Sequence, residues 1–140
     1  MAIAAVVDVA IHARPDPVAA KLLAERHHLP PRHLETILQA LVRANILKGV
    51  RGPRGGYELA TERRRITAGD IVRAAMIGIE DDVGSPEPQS VLVDRVIAPE
   101  IETASQAFLT HLDGITVEEL CKRAQKVGFN ALSESADFTI

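Results

Sequence analysis

One short stretch, residues 50–59 with the sequence VRGPRGGYEL, limits the possible folds more than any other part of the chain. Its Gly-Pro and Gly-Gly pairs are typical of a tight turn, because glycine accepts a positive φ and proline fixes its own φ. Apolar and polar residues alternate over 57–59, which is the pattern of a half-buried strand. We therefore predict a β-hairpin with strands at 47–50 and 57–59, whose turn carries Arg51 and Arg54 clear of the core.

An amphipathic helix is predicted just before the hairpin, over Arg32 to Asn45, with Pro31 opening it. Its apolar residues recur three and four positions apart, which places them on one face. They are Leu34, Ile37, Leu38, Leu41 and Val42. The opposite face carries side chains that can hydrogen-bond to base edges or phosphates, namely Arg32, His33, Glu35, Thr36, Gln39 and Arg43. A solvated helix face looks much the same, but a helix followed by a basic hairpin is the layout of a winged helix.

Two helices are predicted ahead of this one, and together they belong to a winged helix-turn-helix domain over residues 1–78. The first spans Ala2 to Ala13 and serves the core. The second spans Val18 to His27, with Asp16 as its cap and Pro17 at the first helical position. The inward-facing residues are predicted to be Ile3, Val6, Val7, Ala10 and Ile11, followed by Val18, Leu22 and Leu23.

Two capping motifs predict where later helices begin. Thr67 with Asp70, and Thr116 with Glu119, have the spacing of an N-cap residue and the third helical position. The first motif predicts a fourth helix that runs to about Ile77, and the second predicts the last helix of the chain. The overall class is therefore mainly α, with a small β-hairpin as its wing.

The C-terminal half contains a second apolar stripe that a small winged domain has little room to absorb. Residues 79–90 are acidic and rich in turn formers, so they are predicted to be a loop. Residues 91–128 are predicted to form dimerisation helices, and residues 129–140 a flexible tail. The alternative is that the stripe packs back on its own domain. The residues assigned to dimer contact are Ile101, Ala104, Phe108, Leu109 and Leu112.

Composition and charge exclude several classes of protein. The hydrophobic fraction is 46%, which is too high for general disorder, and no apolar run reaches the roughly 18 residues of a membrane span. A single cysteine excludes an internal disulfide, and the start of the chain is a poor signal peptide, so we expect a cytoplasmic protein. Residues 1–75 contain twelve Lys and Arg against seven Asp and Glu, whereas residues 76–140 contain four against twelve. This split suggests that the first part meets a polyanion, although chance clustering of solvated charges is the alternative.

In four segments the chain resembles the Rrf-two family of bacterial winged-helix transcription regulators. The matching segments are Leu34-Glu35 in the third helix, residues 50–59 in the hairpin, residues 66–71 before the fourth helix, and residues 114–120 (GITVEEL) before the last helix. The resemblance covers about residues 4 to 125. The hairpin motif is its most specific part.

The resemblance implies a homodimer that binds double-stranded DNA at an imperfect palindrome, with the third helix in the major groove and the wing in the minor groove. By position, Arg32, Glu35 and Thr36 would face bases, and Glu35 would accept from a cytosine amino group. Arg51 would enter the minor groove, where A·T-rich sequence deepens the negative potential. The remaining residues of the predicted DNA-binding set are His33, Gln39, Arg43, Arg54 and Gly55, the last of which lets the backbone approach a phosphate.

The chain departs from the cluster-binding members of that family. Those members carry three cysteines between the fourth helix and the dimer helix, whereas residues 76–107 contain none. Thiolate ligation is impossible without them, so we expect no iron–sulfur cluster and no other cofactor. Cys121 is predicted to be a core residue rather than a redox sensor. The signal is then expected to be a small molecule or a partner protein.

Sequence features argue against most functions other than DNA binding. The glycine-rich turn lacks the G-x-x-x-x-G-K-[ST] pattern of a nucleotide-phosphate loop. The histidines at 27, 28, 33 and 111 lack tight metal spacing, and no grouping of catalytic residue types stands out, so an enzyme is not expected. A winged helix that binds a protein instead of DNA is the remaining alternative.

Overall fold

A computed structural model describes residues 1–80 and 90–129 of the chain. Within these ranges the chain forms six α-helices and one two-stranded antiparallel sheet, which confirms the predicted class. The predicted acidic loop and C-terminal tail fall mostly outside the described residues. In chain order the elements are α1 (Ala2–His12), α2 (Ala20–Arg26), α3 (Pro31–Arg43), β1 (Leu47–Val50), β2 (Gly56–Leu59), α4 (Ala68–Glu80), α5 (Ala98–Asp113) and α6 (Val117–Lys126).

The hydrophobic core lies where α1, α3, α4 and α6 meet. The stripe predicted for α3 is confirmed at its centre, since Leu34, Leu38 and Leu41 are buried, whereas Val42 at its end is exposed. On α1 the residues predicted to face inward do pack against the core, but the most deeply buried positions include three that were not predicted. These are Ala5, Asp8 and Val9.

The start of α2 was predicted wrongly. The helix begins at Ala20, and Val18 instead pairs with Tyr57 of β2 in an isolated antiparallel bridge at the edge of the sheet. The Val18 N–H donates to the Tyr57 carbonyl (2.9 Å), and the Tyr57 N–H donates to the Val18 carbonyl (2.8 Å). Because the Val18 backbone is satisfied by the sheet, Asp16 and Pro17 cannot cap and open the helix. Leu22, predicted to face inward, is 45% exposed.

This pairing explains why a glycine stands at the start of β2. A methyl group at Gly56 would lie 2.3 Å from the Val18 carbonyl oxygen, far inside van der Waals contact. Only a residue without a side chain lets the two backbones come this close. The wing is thereby held against the segment that precedes α2.

Both predicted capping residues are confirmed as N-caps. The Thr67 N–H donates to Asp70 Oδ2 (3.0 Å) and the Asp70 N–H donates to Thr67 Oγ1 (3.1 Å), a reciprocal capping box at α4. At α6 the Glu119 N–H donates to Thr116 Oγ1 (3.2 Å), while the Glu119 carboxylate pairs with Arg123. A π-helical turn, Val93–Ile97, runs directly into α5.

Candidate nucleic-acid interface

A buried ion network positions α2, the first helix of the helix-turn-helix pair. Asp8 of α1 is fully buried, and its carboxylate accepts a hydrogen bond from the Arg26 guanidinium at the end of α2. His27 Nε2 lies 2.8 Å from Asp8 Oδ2, and His12 Nδ1 lies 2.9 Å from Asp8 Oδ1. A buried carboxylate demands such partners, so the network clamps the end of α2 to α1. The ring of Phe129 lies against both imidazoles and partly covers them.

Sequence reasoning did not find this network. Asp8 and His12 are four residues apart on α1, a spacing that could have predicted their contact. The contacts to Arg26 and His27 span 18 and 19 residues, and nothing in the spacing of the sequence couples positions that far apart.

The third helix presents its predicted polar face to solvent. Five of the six side chains assigned to DNA on this helix are exposed and Thr36 is half-buried. The Thr36 hydroxyl donates to the Arg32 carbonyl (3.2 Å), which fixes its rotamer one turn after Arg32. The helix ends before Asn45, which has a positive φ of 59° and turns the chain into β1.

The wing is a hairpin with a closely packed turn. Its strands pair Leu47 with Leu59 at one end and Val50 with Gly56 at the other. Arg51 and Arg54 are exposed on the turn between them. A side chain at Gly55 would meet the Val50 carbonyl oxygen at 2.4 Å, so glycine is required there as well.

Helix α3 and the wing border one face of the molecule. A groove of about 550 Å³ lies between α2, α3 and β2, and both Glu35 and Tyr57 line it. A second groove of about 360 Å³ lies between the start of α2 and the hairpin, where Arg51 and Gly55 join Tyr57. Tyr57 lines both grooves, so the two adjoin each other. Glu35 of α3 lines the first groove and Arg51 of the wing lines the second.

Four arginines of α3 and the wing have no acidic partner among the described residues. In residues 1–80 and 90–129, no ion pair involves Arg32, Arg43, Arg51 or Arg54. By contrast, Lys48 pairs with Glu58 across the hairpin, and Arg64 and Arg65 both approach Glu62. The unpaired arginines are therefore available to neutralise phosphates, the contact that dominates affinity for nucleic acid.

The apolar stripe of α5 is divided in the single chain. Ile101 and Phe108 are 62% and 56% exposed, and Ala104 is exposed beside them. Leu109 is buried and Leu112 is half-buried, so these two pack within their own chain.

Neither a metal centre nor a membrane span is found in the part of the chain that the structure describes. There, no three His, Cys, Asp or Glu side chains are placed to hold a metal ion together. Cys121 is 1% exposed and packs into the core, as predicted, and burial raises the pKa of its thiol. A lone buried thiol does not provide the donor set of an iron–sulfur cluster. None of the described helices is long and apolar enough to cross a bilayer.

A helix-turn-helix pair, the basic hairpin wing that follows it, and exposed arginines on both α3 and the wing define a winged-helix transcription regulator. Comparison with known proteins assigns the family. The model of the Rrf2 (Rrf-two) family, described as iron-dependent transcriptional regulators, matches residues 1–123. The chain belongs to this family, whose members are regulators and not enzymes.

Individual relatives agree with that assignment. The chain is 34% identical over 116 residues to the helix-turn-helix-type transcriptional regulator slr0846 of Synechocystis, covering 83% of this chain and 79% of that protein. The solved structure of IscR from T. potens is similar at a TM-score of 0.66 and 32% identity, covering 91% of this chain and 85% of that one. CymR of B. subtilis, described as a global cysteine regulator, is similar at a TM-score of 0.61 and 29% identity, over 87% and 91% of the two chains.

Proposed function

We propose that the protein binds a palindromic operator as a homodimer and regulates transcription from the adjoining promoter. One observation carries the proposal: in the described part of the chain, exposed arginines without an ion pair stand on both α3 and the wing, and Glu35 of α3 and Arg51 of the wing line adjoining grooves. A regulator of this kind works where the bacterial chromosome lies, which is the cytoplasm.

The third helix is assigned to the major groove. Arg32, Glu35 and Thr36 lie on its first two turns, and the N-terminal residues of a recognition helix are the ones that reach base edges. Glu35 would accept a hydrogen bond from the amino group of cytosine, and it would repel a phosphate or a guanine acceptor edge. This acidic residue therefore contributes to discrimination between bases, whereas the arginines contribute affinity.

The wing is assigned to the minor groove. Arg51 and Arg54 are exposed on a tight turn, in which Gly55 lets the backbone pass close to the Val50 carbonyl. An arginine inserted into a narrow A·T-rich minor groove gains from the enhanced negative potential there.

The dimer is proposed to form through α5. Ile101, Ala104 and Phe108 leave an apolar strip exposed on a 16-residue helix. A buried aromatic side chain removes about 150–250 Å² from water, and apolar burial contributes about 25 cal/mol per Å² before ordering costs. Two copies of this strip could therefore supply several kcal/mol to self-association.

The signal is proposed to act without an iron–sulfur cluster. The only thiol in the sequence is Cys121, which lies inside α6. Because cluster ligation needs several thiolates, regulation would come from a small molecule or a partner protein.

The test is binding of the purified protein to DNA from upstream of its own gene and to a scrambled fragment. Fluorescence anisotropy at several salt concentrations would compare wild type with Arg51→Ala. Arg64→Ala is the matched control, because it removes the same charge from an arginine already paired with Glu62. We expect specific binding that Arg51→Ala weakens about tenfold or more, with a salt slope shallower by about 1.

Sedimentation of the same samples reports the oligomeric state, and a mass that stays monomeric at all concentrations would remove the homodimer. If the folded protein bound neither fragment at low salt, the DNA-binding proposal would be wrong. A winged module that binds protein would then take its place.

A further inference from the structure

Near its C-terminal end, α5 meets the winged domain at a compact place that we call the α4–α6 joint. It consists of residues 66–69 at the start of α4, residues 113–117 between α5 and α6, and Arg73. Three kinds of contact meet there.

The first contact is between backbones. Thr67 and Thr116 form an isolated antiparallel bridge between the two segments. The Ala68 N–H donates to the Ile115 carbonyl (2.8 Å), and the Val117 N–H donates to the Ile66 carbonyl (2.8 Å). Two short bonds in opposite directions fix the register of one segment on the other.

The second contact is a bidentate ion pair. Arg73 lies on α4, and Asp113 is the last residue of α5. Arg73 Nη1 donates to Asp113 Oδ1 (2.6 Å), and Arg73 Nη2 donates to Asp113 Oδ2 (2.8 Å). These hydrogen bonds hold the pKa of the Asp113 carboxyl below its usual value. A guanidinium and a carboxylate joined in this way constrain orientation as well as distance.

The third contact is a close approach without a side chain. Gly69 is buried, and a methyl group there would lie 1.9 Å from Asp113 Oδ1 and 3.1 Å from the Asp113 backbone nitrogen. A side chain there would displace the Asp113 carboxylate from its place beside Arg73, and the Asp113 backbone would have to shift by a few tenths of an ångström.

We propose that Gly69, Arg73 and Asp113 determine the spacing between operator half-sites, by setting the angle between α5 and the winged domain. The inference rests on the proposed homodimer. A helix of 16 residues is about 24 Å long, so a rotation of about 10° at the joint moves its far end by about 4 Å. That displacement exceeds the rise of about 3.4 Å per base pair. In a two-fold symmetric dimer both winged domains would move by this amount, so the distance between them changes twice as much.

The experiment measures spacing preference rather than affinity alone. Half-sites are selected by the wild-type protein from a randomised DNA library and rebuilt as palindromes with spacers one and two base pairs longer or shorter. Wild type, Gly69→Ala and Asp113→Asn are titrated on each DNA. Glu119→Gln is the matched control, because it makes the same charge change and breaks an exposed ion pair that lies within α6.

We expect all four proteins to dimerise and to bind. The preference of wild type for its best spacing over neighbouring spacings should fall at least about threefold, or shift by a base pair, in both joint variants. Glu119→Gln should keep the wild-type profile. If Gly69→Ala does not fold, Asp113→Asn decides, because that pair is exposed and its loss leaves the backbone contacts in place.

Three outcomes separate this inference from the proposed function on which it rests. A folded, dimeric Asp113→Asn variant with the wild-type spacing profile would overturn the role of the joint and leave operator binding intact. A wild-type protein that binds equally well at every spacing would have the same two consequences. Failure of wild type to select any DNA sequence overturns the proposed function itself.

Discussion

Replacing the buried carboxylate of Asp8 with Asn should be the most damaging single polar substitution in the winged domain. Asp8 is fully buried and meets Arg26, His12 and His27. The asparagine amide keeps the shape of the side chain but removes its negative charge. It also has only one acceptor oxygen, whereas the carboxylate offers two to its three partners.

The magnitude follows from the burial of the partners. Removing one member of a buried ion pair costs about 3–5 kcal/mol, because the other charge is left uncompensated. The Arg26 side chain is 27% exposed and can recover some hydration, so we expect the lower end of that range, about 3 kcal/mol. For a chain of this size that loss corresponds to a fall in Tm of about 10 °C.

The assay is urea unfolding followed by circular dichroism, which gives the free energy of unfolding from the midpoint and slope. Glu119→Gln is the control, since its ion pair with Arg123 is exposed and should contribute under about 1 kcal/mol. A loss below about 1 kcal/mol for Asp8→Asn would refute the reasoning, because it would mean that Arg26 does not need the buried charge.

Two further predictions concern close packing and the buried thiol. Gly56→Ala should destabilise the wing, because its new methyl group would lie 2.3 Å from the Val18 carbonyl; amide exchange should accelerate at Tyr57 and Val18, and unchanged protection would contradict the close approach. Cys121 should react slowly with a thiol reagent in the native protein and rapidly after unfolding, since it is 1% exposed. Burial raises its thiol pKa above the ordinary value of 9.0, so the native state holds the proton more tightly and stability should fall as pH rises above that value. The free energy of unfolding of Cys121→Ala should therefore fall less than that of wild type at alkaline pH. An equal fall in both proteins would rule out the thiol as its source.

The parts of the fold that could be predicted are those set by local chemistry. The hairpin followed from glycine pairs and alternation over a few residues, and the centre of α3 followed from a helical period. The Thr67–Asp70 capping box was predictable because its partners are three residues apart, a distance at which sequence spacing and spatial contact are the same thing.

The errors occurred where backbone or charge partners were distant in sequence. Asp16 and Pro17 offered a good helix start, but the Val18 backbone bonds with Tyr57 were available only after the wing had folded. The stripe on α5 looked continuous, yet Leu109 packs within the chain while Phe108 stays exposed. Helical periodicity identifies a face but not what covers it.

For this protein, the amino-acid sequence by itself determined the winged class, the basic hairpin, the polar face of α3 and the absence of cluster cysteines. Local spacing and residue chemistry are sufficient for each of these. The tertiary structure alone decided that Asp8 clamps α2 to α1, that Val18 extends the wing, and that Asp113 joins α5 to α4. Those contacts join residues 18 to 40 positions apart, and only packing in three dimensions brings such partners together.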